Sequence, residues 1–267
     1  MNMYIYELKS LRKSAAIWTC VMIALAALFL AVYPGMVNEA EDFKELLSNY
    51  PETVRAMLGI NLDYITSILG FYSMIFSFII LCGAIQAMNL GVSILSKEAR
   101  ERTADFLLVK PVSRAAVVSA KLLAGLTTIL MTNILFNAAA FIMANMVKTA
   151  DYNKKLFLMI NLTMLFIQLI FLAVGMLVSV FFKRLKTVLP ISLGVVLGLY
   201  MLGALIATGK DDDIARFISP FKYFDIAYII KNAGYETAYL ITGAAVVIVS
   251  IAASYIIYIR KDIHAVS

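Results

Sequence analysis

Side chains able to do chemistry are concentrated in one short stretch. Residues 96 to 114 read SKEARERTADFLLVKPVSR, eight charges in nineteen positions with an apolar run and a proline near the end. Elsewhere the reactive groups thin out. There is no H-E-x-x-H or G-x-S-x-G, and the single histidine, His264, lies near the carboxyl end. Gly209 and Lys210 are followed by Asp211 and lack the earlier glycine of a phosphate-binding loop. The chain is therefore expected to bind no cofactor or metal and to carry no ATPase site. If it moves something uphill, the energy arrives from another polypeptide. The aspartates at 211, 212 and 213 lack the spacing and glycine of a calcium loop and read as a solvated charge run.

The elements that must position the charged stretch are membrane spans. The 267 residues are 62% hydrophobic and 15% charged, against about 45–50% and about 25% in soluble domains. A helix needs roughly 20 residues to cross about 30 Å of hydrocarbon. Six gaps between ionisable residues are longer than that: 14–38, 64–96, 122–147, 156–182, 187–209 and 237–259. Spans are accordingly placed near 15–36, 66–94, 117–146, 156–182, 187–208 and 237–259, in one membrane domain covering 1–267. Helices rather than a barrel are expected, because the runs show no alternation and unpaired backbone amides are costly in lipid. The uncharged part of the first run is longer than the 7–15 residues of a signal-peptide core, and it reads as a retained span. Cys20 and Cys82 fall inside helices and read as small buried hydrophobes rather than a disulfide.

Six spans put both termini on one side, and basic residues favour the cytoplasm. With the termini cytoplasmic, that side holds 14 of the 23 basic residues but only 5 of the 17 acidic ones. The net positive charge then reflects topology in a multi-pass cell membrane protein, of a bacterial plasma membrane by this reading. Nucleic acid is not an expected partner, since no basic patch with interleaved aromatics stands clear of the bilayer.

Within this frame 96–114 is cytoplasmic, between spans two and three. Lys97 to Val109 are good helix formers, Pro111 ends that helix, and Ser113 is placed to cap a new one. The apolar tip, Phe106 to Val109, is suited to burial by a protein partner. At the amino end Tyr4, Leu8, Leu11 and Ala15 share a helical face, with Glu7, Lys9, Arg12 and Lys13 on the others, which predicts an amphipathic interfacial helix. The outer loops, 37–65 and 209–236, are expected to hold short surface helices, the latter aromatic and broken at Pro220 and Gly234. Uncharged polar residues inside the spans either glue helices together or line a pathway. Asn133, Asn137 and Gln168 are the pathway candidates, the two asparagines one turn apart on a shared face. Pro190 and the glycines at 175, 194, 198 and 203 are candidate sites of helix bending or close approach.

The pattern from Glu98 to Arg114, E-x-x-x-x-T-A-x-F-L-L-x-x-P-V-S-R, with Lys121 seven residues later, resembles the permease subunits of ABC-2 type transporters. The amphipathic lead-in, the six spans and the aromatic element at Ser219, Pro220, Phe221 and Tyr223 are similar too. The likeness spans the chain in layout and about twenty-five residues in motif. It implies an all-α polytopic membrane protein with six transmembrane helices, an amphipathic N-terminal interfacial helix and a short cytoplasmic coupling helix. It also implies that Glu98, Arg102, Thr103, Phe106, Leu107, Pro111 and Arg114 couple to a cytoplasmic P-loop ATPase, which would hold ATP and Mg. Arg102 stands where many members have glycine, so this turn is expected to be stiffer. A second permease copy or paralogue would complete the pathway.

The leading reading is thus half of an ATP-driven export path. The alternatives are an ATP-independent transporter or channel and a membrane-embedded assembly or sensory protein. Against the transporter stands the lack of ionisable residues in the six gaps, where ion-coupled pathways usually place them.

Overall fold

The structure, a computed structural model, describes residues 2–51, 54–55, 58, 60–101, 113–181, 187–206 and 216–260. Among these it is helical without strands. The long helices are α1 (Asn2–Asn38), α3 (Ile68–Glu101), α4 (Arg114–Val147), α5 (Lys154–Phe181) and α8 (Thr237–Arg260). Each is long and apolar enough to cross a bilayer. A sixth apolar helix, α6 (Leu189–Ile206), has 18 residues, about 27 Å at 1.5 Å per residue and at the short end of a span. Shorter elements are α2 (Ala40–Ser48), a 3-10 turn (Pro220–Lys222) and α7 (Ile226–Asn232).

The packing divides the helices into two kinds. α3 and α5 form the central pair, and most of their apolar residues are buried. α1 lies along α4, α8 along α5 and α6 along α3. On α1, α4 and α8 large side chains such as Leu28, Ile134 and Ile248 remain exposed. In a chain with this much apolar surface those faces meet lipid. The α3–α5 contact depends on two glycines. A Cβ on Gly91 would lie 2.3 Å from the Leu172 carbonyl oxygen, and one on Gly175 would lie 2.7 Å from that of Met88. The two backbones touch where no other residue fits.

Several boundaries differ from the sequence expectation. The amphipathic lead-in is continuous with the first span, because nothing between Asn2 and Tyr33 breaks a helix. It therefore does not form a separate interfacial element. Glu7, expected on a solvated face, is buried there at 7% exposure, since it shares the inward face with Tyr4 and Leu11. The charged stretch does not begin with a helix of its own either: Lys97 to Glu101 prolong α3. Pro190 sits in the first turn of α6, where a missing amide hydrogen costs nothing, and starts the helix rather than bending it.

Other local signals behave as expected. Ser113 accepts a hydrogen bond from the Ala116 amide (3.2 Å) and caps α4. α2 supplies a surface helix in the first long loop, and Asp225 caps α7 through the Ala227 amide (2.9 Å). α7 ends on Ala233, at φ 49° the one non-glycine residue described with positive φ, one position before the glycine expected to break it.

Candidate functional site

Three polar regions stand out along the bundle axis. The first is at the basic end, which carries Lys97, Arg114, Lys121 and Arg260. Glu7 is the hinge of this region. Its Oε2 lies 3.6 Å from Lys97 Nζ and its Oε1 3.7 Å from Lys121 Nζ. Lys121 is 1% exposed and donates to the Ile94 carbonyl oxygen of α3 at 2.7 Å. Lys97 donates to Ser10 Oγ (2.9 Å) and lies over the Tyr6 ring. A buried ammonium is tolerable only when paired and hydrogen-bonded. Lys121 meets both conditions by joining α1, α3 and α4 at one point.

Further contacts widen this collar. Tyr4 and Thr127 hydroxyls are 2.9 Å apart, as are those of Ser119 and Tyr255. Arg114 Nη1 donates to the Ile259 carbonyl oxygen at 3.2 Å. α8 is thereby tied to the same end of α4. Both flanks of the 96–114 stretch, the last turns of α3 and the first turns of α4, are held by the surrounding helices.

Of the residues singled out in that stretch, Arg102, Thr103, Phe106, Leu107 and Pro111 lie outside the described residues. Glu98 is in the last turns of α3, and Arg114 opens α4. The sequence alone gives the motif lysine, Lys121, no role of its own and places Glu7 on a polar face, whereas both are buried here. Their signal was a carboxylate and an ammonium, each next to an uncharged run yet each in register with its helix's buried positions.

The second region is a chain of uncharged polar groups at mid-bundle. Thr19 donates to Thr132 Oγ1 (3.2 Å), as does Gln86 Nε2 (3.2 Å). Gln168 Nε2 donates to Gln86 Oε1 (3.0 Å), and Asn133 Nδ2 donates to Gln168 Oε1 (2.6 Å). All five side chains are buried. They stitch α1, α3, α4 and α5 together. Asn133 and Gln168 are therefore brought into direct contact. Asn137 is not part of the chain: it turns back to the Asn133 carbonyl oxygen on its own helix (2.8 Å).

The third region is a half-open cavity of about 630 Å³ at the opposite end. Its walls come from the loop before α3 (Arg55, Asp63, Tyr64), from α3 (Ser77), from α6 (Tyr200) and from the segment around the 3-10 turn (Arg216). Arg216 is clamped: it donates to both carboxylate oxygens of Glu236 (2.6 and 3.2 Å) and to the Lys222 carbonyl oxygen (3.2 Å). Its guanidinium carbon also lies 4.2 Å from the centre of the Tyr239 ring. Burial, then the carboxylates of Asp225 and Asp63, push the Tyr64 phenol up from its ordinary value. The wall mixes polar and apolar groups in about equal measure, with Ile60, Leu62, Ile80 and Phe224 beside the charged residues, and its charges are nearly balanced. The sequence alone does not single out Tyr64, Ser77 or Tyr200, because an aromatic in a loop or span, or a serine in a span, gives no signal until its neighbours are known.

None of these regions is a catalytic constellation. Among the described residues no three of His, Cys, Asp and Glu are grouped to hold a metal. What the arrangement provides is mechanical: a charged stretch held at one end, polar cross-ties at mid-bundle and a half-polar cavity at the other end. The comparisons agree with that character. The family model described as ABC-2 family transporter protein matches residues 1–263. No curated protein matches the chain significantly.

Proposed function

Since the chain belongs to the ABC-2 transporter family and is a transmembrane permease component of an ABC transport system, we propose that it forms half of an export pathway driven by a separate P-loop ATPase. The observation that carries this reading is the collar around Glu7. It ties both flanks of the 96–114 stretch to α1, α3, α4 and α8. A force applied to that stretch by a partner reaches four helices at once. ATP and Mg belong to the partner, whose closure pushes on Glu98, Arg102, Thr103, Phe106, Leu107, Pro111 and Arg114.

In this reading the basic end and both termini are cytoplasmic, and the cavity at Tyr64 and Tyr200 is the outer mouth of the path. Asn133 and Gln168 hold helices together around it. A second copy or paralogue completes the pathway through α6. There a Cβ on Gly194 or Gly198 would meet nothing within 4 Å, and Leu197, Met201 and Leu205 are exposed beside them. Small residues with open space above them allow close helix approach.

The test is co-purification and labelling. A candidate ATPase is expected to stay bound in detergent and to be lost with Phe106→Asp, while membrane insertion is unchanged. An impermeant maleimide is expected to reach Glu101→Cys in inverted vesicles but not in intact cells. Labelling from outside, or ATPase binding unaffected by Phe106→Asp, overturns the reading.

A further inference from the structure

We propose that Glu7 is the positioning residue of the coupling stretch: its one carboxylate yokes the end of α3 and the start of α4 to α1, so that α1 moves with any push on residues 96–114. The proposal takes its meaning from the permease reading, but its first test does not depend on it.

The geometry is specific to a carboxylate. Glu7 offers one oxygen to Lys97 of α3 and the other to Lys121 of α4. Glutamine would keep the shape but turn an amide NH₂ toward one of the two ammonium groups. Lys121 also reaches the Ile94 carbonyl oxygen, so the α3–α4 contact and the contact to α1 share one ammonium. The same three helices are tied again twelve residues along α1. There Thr19 and Gln86 both meet Thr132, about 18 Å deeper at 1.5 Å per residue. Two ties at different depths make α1 a rigid arm: displacing the Glu7 end tilts the helix about the Thr19 contact. Without the carboxylate, the Ser10–Lys97 and Tyr4–Thr127 hydrogen bonds still join this end of α1 to the flanks, but neither links α3 and α4 to α1 at one point.

The first measurement is hydrogen exchange of the chain alone in lipid nanodiscs. Glu7→Gln is expected to raise exchange in peptides covering 94–101 and 114–121 by about tenfold, leaving 226–232 at the opposite end unchanged. Unchanged flanks overturn the proposal. Because a buried Lys121 that has lost its carboxylate is itself destabilising even with its Ile94 bond, Glu7→Gln/Lys121→Met is the second variant; it removes the buried charge without restoring the tie. Its flanks are expected to stay fast-exchanging, and a return to wild-type rates overturns the proposal in favour of a purely electrostatic defect.

The second measurement adds the ATPase and reads maleimide labelling of Leu62→Cys, in the wall of the cavity, with Cys20 and Cys82 replaced by alanine. ATP is expected to change the labelling rate in the otherwise wild-type complex. In Glu7→Gln the response is expected to vanish while the ATPase still co-purifies. A persisting response shows that Glu7 transmits nothing and overturns the proposal. Failure of the wild-type chain to bind any ATPase would instead sink the permease reading, with the exchange result still deciding whether Glu7 holds the flanks.

Discussion

Gly91 of α3 and Gly175 of α5 face each other where the two helices cross: a Cβ built on Gly91 would lie 2.9 Å from the Gly175 Cα. The central pair of helices is therefore in backbone contact, and α1, α4, α6 and α8 each pack against one or both members of the pair.

Gly91→Ala is expected to destabilise the chain by about 1–3 kcal/mol, the usual cost of overpacking a tight site. Gly194→Ala, made where nothing lies within 4 Å, is expected to leave the single chain as stable or slightly more so, since alanine is the better helix former. Denaturant unfolding in detergent measures both. Equal effects of the two substitutions would show that the crossing is not as tight as described.

The open face of α6 gives a complementary test. Gly198→Leu is expected to leave the fold and its unfolding midpoint intact while abolishing self-association or pairing with a paralogue, measured by light scattering in mild detergent. Gly194→Cys is expected to cross-link between copies. A dimer that tolerates Gly198→Leu and does not cross-link at 194 meets through another face.

How much of this was legible beforehand depends on what each residue's role needs. The spans could be read from uncharged length, and the start of α4 from Ser113, because both are local properties of the chain. Gly175 was flagged, but Gly91, its partner, was not, since a crossing is defined only by two helices together. The same holds for Glu7. On its own helix it looks like one more charge on a polar face, and only Lys97 and Lys121, about ninety and more residues away in sequence, explain its burial. Asn133 and Asn137 share a face as predicted, yet their fates diverge because Gln168 stands opposite only the first. Pro190 was misread because a proline's effect depends on its position in the helix, which the apolar run around it did not mark.

The mid-bundle chain makes a sharper distinction between those asparagines. Gln168→Leu leaves the buried Gln86 Oε1 without its donor and Asn133 Nδ2 with only its bond to the Ile129 carbonyl oxygen, and is expected to cost about 1–3 kcal/mol. Asn137→Leu removes only a bond within its own helix and is expected to cost less than about 0.5 kcal/mol. The double substitution of Gln86 and Gln168 by leucine should cost less than the sum of the singles, because it leaves fewer unpaired groups. Additive losses would mean that the two glutamines do not interact.

At the opposite end, Arg216 is the clearest structural post of the cavity wall. Burial works against its charge, but the hydrogen bonds and the charge of Glu236 outweigh that, so its pKa lies above the ordinary value and the guanidinium stays protonated. The planar fork meets both oxygens of Glu236 while also reaching the Lys222 carbonyl oxygen, a set of bonds that one lysine ammonium cannot reproduce. Arg216→Lys is expected to cost only roughly 1 kcal/mol, because both partners remain partly open to solvent. Its effect should be local: faster hydrogen exchange at residues 220–232, with the flanks at 94–101 and 114–121 unchanged. If the disturbance instead reaches those flanks in the chain alone, the two ends of the bundle are coupled without any ATPase, and the collar around Glu7 is not the only place where force enters.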